Sequence, residues 1–221
     1  MSKASLGELA RLLEKAAPRI PSPRLNLEQY TTPADLALKL ALHAKLSGLL
    51  EDGVVADLGA GTCRLALAAL LLGASKAVAV EADLRLSSLC LEAARELGVS
   101  DRLLFIASRV GRAEGPLARG GPDVILMNPP FGVHRRGSDT EFLLYAFSLE
   151  PSRVYAILKS GNLSYHASLS AENGYRARRL WSDRVDIPAC MRHHKSRVRR
   201  VKVDIICFER EEREQDNATG R

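Results

Sequence analysis

Short apolar runs alternate along the chain with segments of helical periodicity. VVADLG, KAVAVE, RLLFIA, DVILMN, RVYAILK, RVDIPA and VKVDIICFE have the length and residue types of strands, and helical patterns follow four of them, around 64–72, 84–97, 141–149 and 166–180. Such alternation predicts an α/β fold, with a mostly parallel sheet covered by helices on both faces. The last two strand candidates follow one another without a helix, so one of them is expected to run antiparallel.

Upstream of the first strand, Leu6, Leu9, Leu12 and Leu13 recur at helical spacing, and APRIPSPRLN then reads as an extended linker. TTPADLALKLALHAKL opens a second helix, with Thr32 as its N-cap and Pro33 at its first position, where a missing N–H costs nothing. The pattern divides the chain into a helix and linker over 1–24, one α/β domain over 25–210, and a polar tail over 211–221 too poor in apolar residues to order.

Composition narrows the setting. A chain of 221 residues suits one domain that buries about 70% of its unfolded surface. Cys63, Cys90, Cys190 and Cys207 form no CxxC pair, which suggests neither a disulfide framework nor a metal site and points to a reducing, cytoplasmic compartment. The acidic residues of the first helix argue against a secretory leader, and the longest apolar run, Leu65 to Leu72, is too short to span a bilayer. A soluble protein with no membrane partner is expected.

The net charge of +6 favours an anionic partner, and its distribution says more than its size. His134, Arg135 and Arg136 form one basic cluster, GYRARRLWSDR a second, and MRHHKSRVRR a third that holds Arg192, His193, His194, Lys195 and Arg197. Each alone is as compatible with a solvated face. Three of them downstream of one candidate site favour RNA or DNA.

Two motifs carry chemistry. In VVADLGAGTCR, Asp57 ends the first strand, and Gly59 and Gly61 allow a sharp turn that a ligand can approach closely. Glu81 ends the second strand, where a carboxylate can accept hydrogen bonds from both ribose hydroxyls. That arrangement fits NAD as well as S-adenosylmethionine. The third glycine of the dinucleotide turn is missing, and Asp57 facing the crevice would repel a diphosphate but welcome a cation, so S-adenosylmethionine is favoured.

The second motif is NPPF, at the end of the fourth strand, with Asn128, Pro129, Pro130 and Phe131 as catalytic candidates. A conjugated amino group reacts only when its lone pair faces the methyl carbon. The Asn128 side-chain oxygen and the Pro129 carbonyl can take the two amino hydrogens, the proline pair fixes the backbone, and Phe131 can stack on a flat substrate. No strong base is required, because the proton becomes acidic only as positive charge reaches nitrogen.

With both motifs in place, the chain resembles the methyltransferase-like enzymes that modify N6 of adenine in small-subunit ribosomal RNA, in an archaeal-type form. The likeness runs from about Leu25 to Phe208 through LEQYTT, VVADLGAGT, MNPPFG, FLLYAF, VYAILKS and DIPACMRHHKSRVRRVKVDIICF. It implies the Rossmann-like class I methyltransferase sheet of seven strands in the order 3-2-1-4-5-7-6. It also implies that Gln29 and Thr32 close over the donor, that Gly59, Thr62 and Arg64 line its methionine moiety, and that Glu81 takes the ribose. Ser108, followed by Arg109, stands where the family usually carries an Asp near the donor's adenine, and Thr31 stands where it usually has Pro. Eukaryotic members work with a small zinc-binding activator subunit that pairs with a sheet edge, and the third strand would be such an edge.

Three rival functions stay open on the residues alone: methylation of a protein glutamine amide, methylation of adenine in DNA, and nucleic-acid binding without reaction. His43 is read as a packed or surface histidine, and His193 and His194 as part of an RNA-facing loop, none of them as a metal ligand, and Trp181 is read as a core residue. Tyr30 can either cover the base pocket or pack beneath the linker.

Overall fold

The computed structural model describes residues 4–111, 114–132, 135–188 and 198–211. Seven strands form one sheet: β1 (Val54–Leu58), β2 (Lys76–Glu81), β3 (Leu103–Ala107), β4 (Val124–Met127), β5 (Arg153–Lys159), β6 (Tyr175–Pro188) and β7 (Val198–Arg210). Their order is β3-β2-β1-β4-β5-β7-β6, as the resemblance implies. The first five run parallel, and β7 is antiparallel to both neighbours.

Period-two alternation sorts the central strands between two cores. Val55, Val124, Leu126, Tyr155 and Ile157 face one core with α1 (Leu6–Ala16), α2 (Ala34–Leu46), α3 (Arg64–Leu71) and α4 (Ser87–Glu96). Ala56, Leu58, Ile125, Met127, Val154 and Ala156 face the other, with α5 (Ser138–Ser148), while α6 (Leu163–Glu172) adds Leu163 and Leu169 at its margin. Both faces of these strands are covered, which is why they read as almost unbroken apolar runs. The chain enters at α1, which is fixed by a reciprocal Ser5–Glu8 capping box and buries Leu13, Ala16 and Ala17 in the first core.

Three expectations are corrected. The sixth strand starts at Tyr175, not near Arg184, and α6 ends at Glu172 before Gly174 at φ +79°. Gly174 supplies the left-handed stop, and the fully buried Tyr175 then anchors a strand that β7 pairs along its whole length.

Pro33, not Thr32, is the N-cap of α2, and no side chain caps that helix. The Thr32 hydroxyl is taken by a residue on another element, described below.

Cys63 and Cys90 form a disulfide between the turn before α3 and the middle of α4, with their Cα atoms 5.5 Å apart. Their separation of 27 residues gave no local motif, and only the packing of α4 beside the turn brings them together. The inference from unpaired cysteines to a reducing compartment therefore loses its footing. No helix among the described residues is long and apolar enough to cross a membrane.

One feature of the register positions the site. β5 ends at Lys159 opposite Val203, whereas β6 and β7 continue pairing from Arg184 with Lys202 to Pro188 with Val198. A two-stranded ribbon thus overhangs the sheet at the carboxyl end of β5, the same end at which β1, β2 and β4 deliver Asp57, Glu81 and Asn128.

Candidate active site

The turn after β1 is held from below. Gly59 N–H and Ala60 N–H both donate to the Val80 carbonyl, at 2.9 and 3.0 Å, and Gly61 N–H donates to Glu81 Oε2 at 2.8 Å. Gly59 has φ +73°, and a Cβ there would stand 3.0 Å from a ring carbon of Phe142. A side chain there would be strained on both counts. Cys63, at φ +61°, then turns the chain into α3.

Asp57 does not face the crevice as expected. It is fully buried, and its Oδ2 accepts from Ala66 N–H at 3.0 Å in the first turn of α3. Burial pushes its pKa up to about 7, helped by the neighbouring Glu81 and opposed by the Ala66 bond. Its Oδ1 and the Thr62 hydroxyl have no partner within the described structure. A void of about 20 Å³ lies between Asp57, Thr62, Thr32 and Asn128.

A raised carboxyl pKa has a consequence for stability. The folded chain keeps the Asp57 proton at pH values where the unfolded chain has lost it, so this residue's contribution falls as pH rises from about 4 to 7 and is level above that. Asp57→Asn is therefore expected to gain on the wild type by up to a few kcal/mol between pH 4.5 and 7.5. Urea denaturation of both proteins at the two pH values checks this, and a constant difference would refute it.

In front of the glycine turn lies a cavity of about 210 Å³. Glu81, Ser108 and Arg109 line it from the ends of β2 and β3, Phe142 from α5, Asn128 and Pro130 from the end of β4, and residues 26–30 from above. Glu81 is nearly buried, and its second oxygen accepts from Asp83 N–H at 2.9 Å.

Asp83, which the sequence reading did not single out, fastens the covering loop. It accepts from Gln29 Nε2 at 3.1 Å, while Gln29 Oε1 accepts from Arg24 N–H at 2.8 Å. Arg85 donates to both Asp83 oxygens and holds this carboxyl well below the ordinary range. Gln29 thus closes over the cavity as a tether, with its polar atoms engaged within the chain.

Asn128 emerges from β4 with its two polar atoms in different situations. Nδ2 donates to Thr32 Oγ1 at 2.9 Å, which fixes the amide orientation, and Oδ1 is buried with no partner. The Pro129 carbonyl accepts from the Tyr30 hydroxyl at 2.7 Å. Phe131 is only 8% exposed, because Tyr30 lies against it with ring centroids 4.7 Å apart and planes inclined by 34°. The face expected to stack on a substrate is thus covered by the protein's own phenol.

The remaining candidates separate clearly. Arg64 does not point at the cavity: its guanidinium pairs with both Glu14 oxygens, at 2.7 and 3.0 Å, and donates to the carbonyls of Ala17 and Thr32. It staples α1 and the linker to α3, which a motif-based assignment to the donor's methionine end missed. Arg135 lines the cavity and is paired with Glu141 at 2.6 Å, and Arg136 is exposed. His134, Arg192, His193, His194, Lys195 and Arg197 lie outside the described residues. His43 is half-buried with its Nδ1 3.3 Å from the Tyr155 hydroxyl, and no group of side chains suited to a metal occurs among the described residues.

S-adenosylmethionine fits this donor set. Gly59, Gly61 and the Glu81 carboxylate line the cavity where its amino-acid end and its ribose could be held, and the unpartnered Thr62 hydroxyl borders the small void that shares Gly59, Gly61 and Asn128 with that cavity.

Comparison with known proteins identifies the family and the fold. The family model described as conserved hypothetical protein 95 matches residues 25–165. The chain is 33% identical over 196 residues to the rRNA N(6)-adenosine-methyltransferase Mettl5 of Drosophila melanogaster, across 85% of this chain and 88% of that protein. It is 27% identical over 197 residues to an uncharacterized protein of Methanocaldococcus jannaschii, across 86% and 87%. Among solved structures, a Pyrococcus horikoshii protein described as a candidate RNA methyltransferase superposes with a TM-score of 0.82 at 32% identity, over 96% of this chain and 100% of that one. The S-adenosylmethionine-bound magnesium protoporphyrin IX methyltransferase of Synechocystis shares the fold, with a TM-score of 0.61 at 13% identity over 91% and 90%.

Proposed function

Because the chain belongs to the family of the Mettl5 rRNA N(6)-adenosine-methyltransferases, we propose that it methylates the N6 amino group of an adenine in RNA, with small-subunit ribosomal RNA as the substrate class. The observation that carries this reading is Asn128 Oδ1, a buried acceptor without a partner at the carboxyl end of β4, beside the donor cradle. A buried orphan acceptor is costly, and an incoming amino hydrogen satisfies it.

S-adenosylmethionine, when bound, supplies an electrophilic methyl group. The chain's own residues do the rest by position. Glu81 would accept from the ribose hydroxyls, and the Gly59–Gly61 turn would admit the donor's amino-acid end. Asn128 Oδ1 and the Pro129 carbonyl would take the two N6 hydrogens and draw them out of the ring's plane, so that the lone pair, which stands perpendicular to the ring, leaves conjugation and is localised toward the methyl carbon. Thr32 keeps the Asn128 amide from flipping by accepting from its Nδ2. Fixed dipoles of this kind need no reorganisation as positive charge develops on nitrogen.

RNA would reach the site along the overhanging ribbon, whose strands carry Arg184, Arg199, Arg200 and Lys202. The cytoplasm is the compartment this role suggests. A small zinc-binding activator would add a strand to β3, an edge of the sheet whose Leu104 is 56% exposed. Such a subunit is expected to raise the melting temperature by several degrees. If the chain is monodisperse alone, and a co-expressed partner changes neither melting nor activity, that part of the proposal is wrong.

The decisive experiment is labelled-methyl transfer to RNA from a strain lacking the gene, followed by nucleoside analysis. N6-methyladenosine as the labelled product supports the proposal. Label in DNA, in protein glutamine or in no acceptor overturns it in favour of the corresponding rival.

A further inference from the structure

The phenol of Tyr30 makes the contacts that the target base is assigned. It lies on Phe131, at 4.7 Å between centroids, and its hydroxyl donates to the Pro129 carbonyl at 2.7 Å. A flat ring carrying a hydrogen-bond donor describes adenine as well as tyrosine. The two differ in the number of hydrogens they bring: a phenol has one, an amino group two. One donor satisfies one of the two acceptors, and the structure shows that division, with the Pro129 carbonyl engaged and Asn128 Oδ1 left without a partner.

We propose that Tyr30 is a placeholder for the target base, which an adenine must displace and which therefore sets the affinity of the site for that base. The inference rests on the assignment of Asn128 and Pro129 as amino acceptors, and extends it to the state of the site before substrate arrives. Exchange favours a ring that brings two hydrogens, because only such a ring satisfies both acceptors. A base without an exocyclic amino group displaces Tyr30 at a loss.

The surroundings allow the exchange. The loop is pinned on both sides of Tyr30, by Gln29 to Asp83 and by Thr32 to Asn128, so the side chain can rotate while the backbone stays in place. Tyr30 also forms a wall of a second cavity of about 510 Å³, bounded by Arg19, Pro23, Thr31, Arg184 and Arg200. The displaced ring has room there, on the side from which the ribbon approaches. Burial raises the phenol's pKa well above its ordinary value, so Tyr30 remains a donor at any physiological pH.

The test compares the full-length wild type with Tyr30→Phe. Binding is measured by fluorescence anisotropy with two single-stranded oligoribonucleotides, one with an adenosine at the central position and one abasic there. Donor binding is measured by calorimetry, and methyl transfer by single-turnover assay. Removing the hydroxyl frees the Pro129 carbonyl at the cost of one hydrogen bond, so Tyr30→Phe is expected to bind the adenosine oligonucleotide about 2- to 10-fold more tightly. The abasic oligonucleotide and the donor should bind as before.

Tyr30→Ala, which also removes the stacked ring, should bind the adenosine oligonucleotide at least as tightly as Tyr30→Phe does. Weaker binding in Tyr30→Ala would make Tyr30 one side of a sandwich around the base and overturn the proposal. A loss of donor affinity in both variants, with no gain for the adenosine oligonucleotide, would make its role structural and overturn it as well. Should the wild type transfer no methyl group while the base-specific gain is seen, the proposed reaction fails and the placeholder stands.

Discussion

Asn128→Ala is expected to slow methyl transfer by about 100- to 1000-fold, the usual consequence of removing one preorganised hydrogen-bonding group from a site that works by electrostatic positioning. Donor affinity should change by less than about twofold, because Asn128 contributes an acceptor for the amino group rather than a contact to the glycine turn. Single-turnover transfer and donor calorimetry on the same preparation check both halves. The variant also breaks the bond from Asn128 Nδ2 to Thr32. Thr32→Val separates the two effects: it removes the partner that orients the amide but keeps the acceptor, so its transfer rate should lie between the wild type and Asn128→Ala.

Glu81→Ala should give the opposite profile. Its carboxylate is assigned to the ribose hydroxyls, and it accepts from Gly61 N–H and Asp83 N–H as well. Loss of charge-assisted bonds to the ribose is expected to weaken donor binding by about 30- to 100-fold. At saturating donor the transfer rate should recover to within a few fold of wild type. Titrating the donor in both the binding and the transfer assay reads the two quantities separately. A rate that stays low at saturation would place Glu81 in the transfer step itself.

The crossed pattern separates a donor cradle from an amino-group clamp, and the sequence made much of that division legible. Asp57, Glu81 and Asn128 end apolar runs that are buried on both faces, so a parallel sheet brings them to a common edge. The glycines between β1 and α3 stand where the backbone must turn at positive φ, and Gly59 is kept bare by Phe142. These features depend on neighbours in sequence or on the period of a strand, and either can be read from a single chain.

What escaped that reading depends on contacts between distant segments. Arg64 follows the glycine turn and has the look of a donor-binding residue, but Glu14, Ala17 and Thr32 come from the N-terminal segment to claim it. Thr32 has the residue type of a helix cap, yet Asn128, just beyond the end of β4 and 96 residues along the chain, donates to its hydroxyl. Cys63 and Cys90 meet only because α4 packs beside the turn. Tyr30 could be assigned to the base pocket or to the linker, and its actual partners, the Pro129 carbonyl and the Phe131 ring, lie about a hundred residues along the chain. Asp83 carried no motif of its own and acquires meaning only through Gln29. In each case the deciding partner lies far along the chain, where periodicity and local propensity are silent.

A complex structure with a donor analogue and an adenosine-bearing RNA tests the grip on the amino group most directly. N6 is expected within about 3 Å of both Asn128 Oδ1 and the Pro129 carbonyl, with the adenine ring on Phe131 and the Tyr30 phenol displaced from it. An adenine bound elsewhere, with Asn128 Oδ1 still facing no donor and Tyr30 still seated on Pro129, would contradict the assignment.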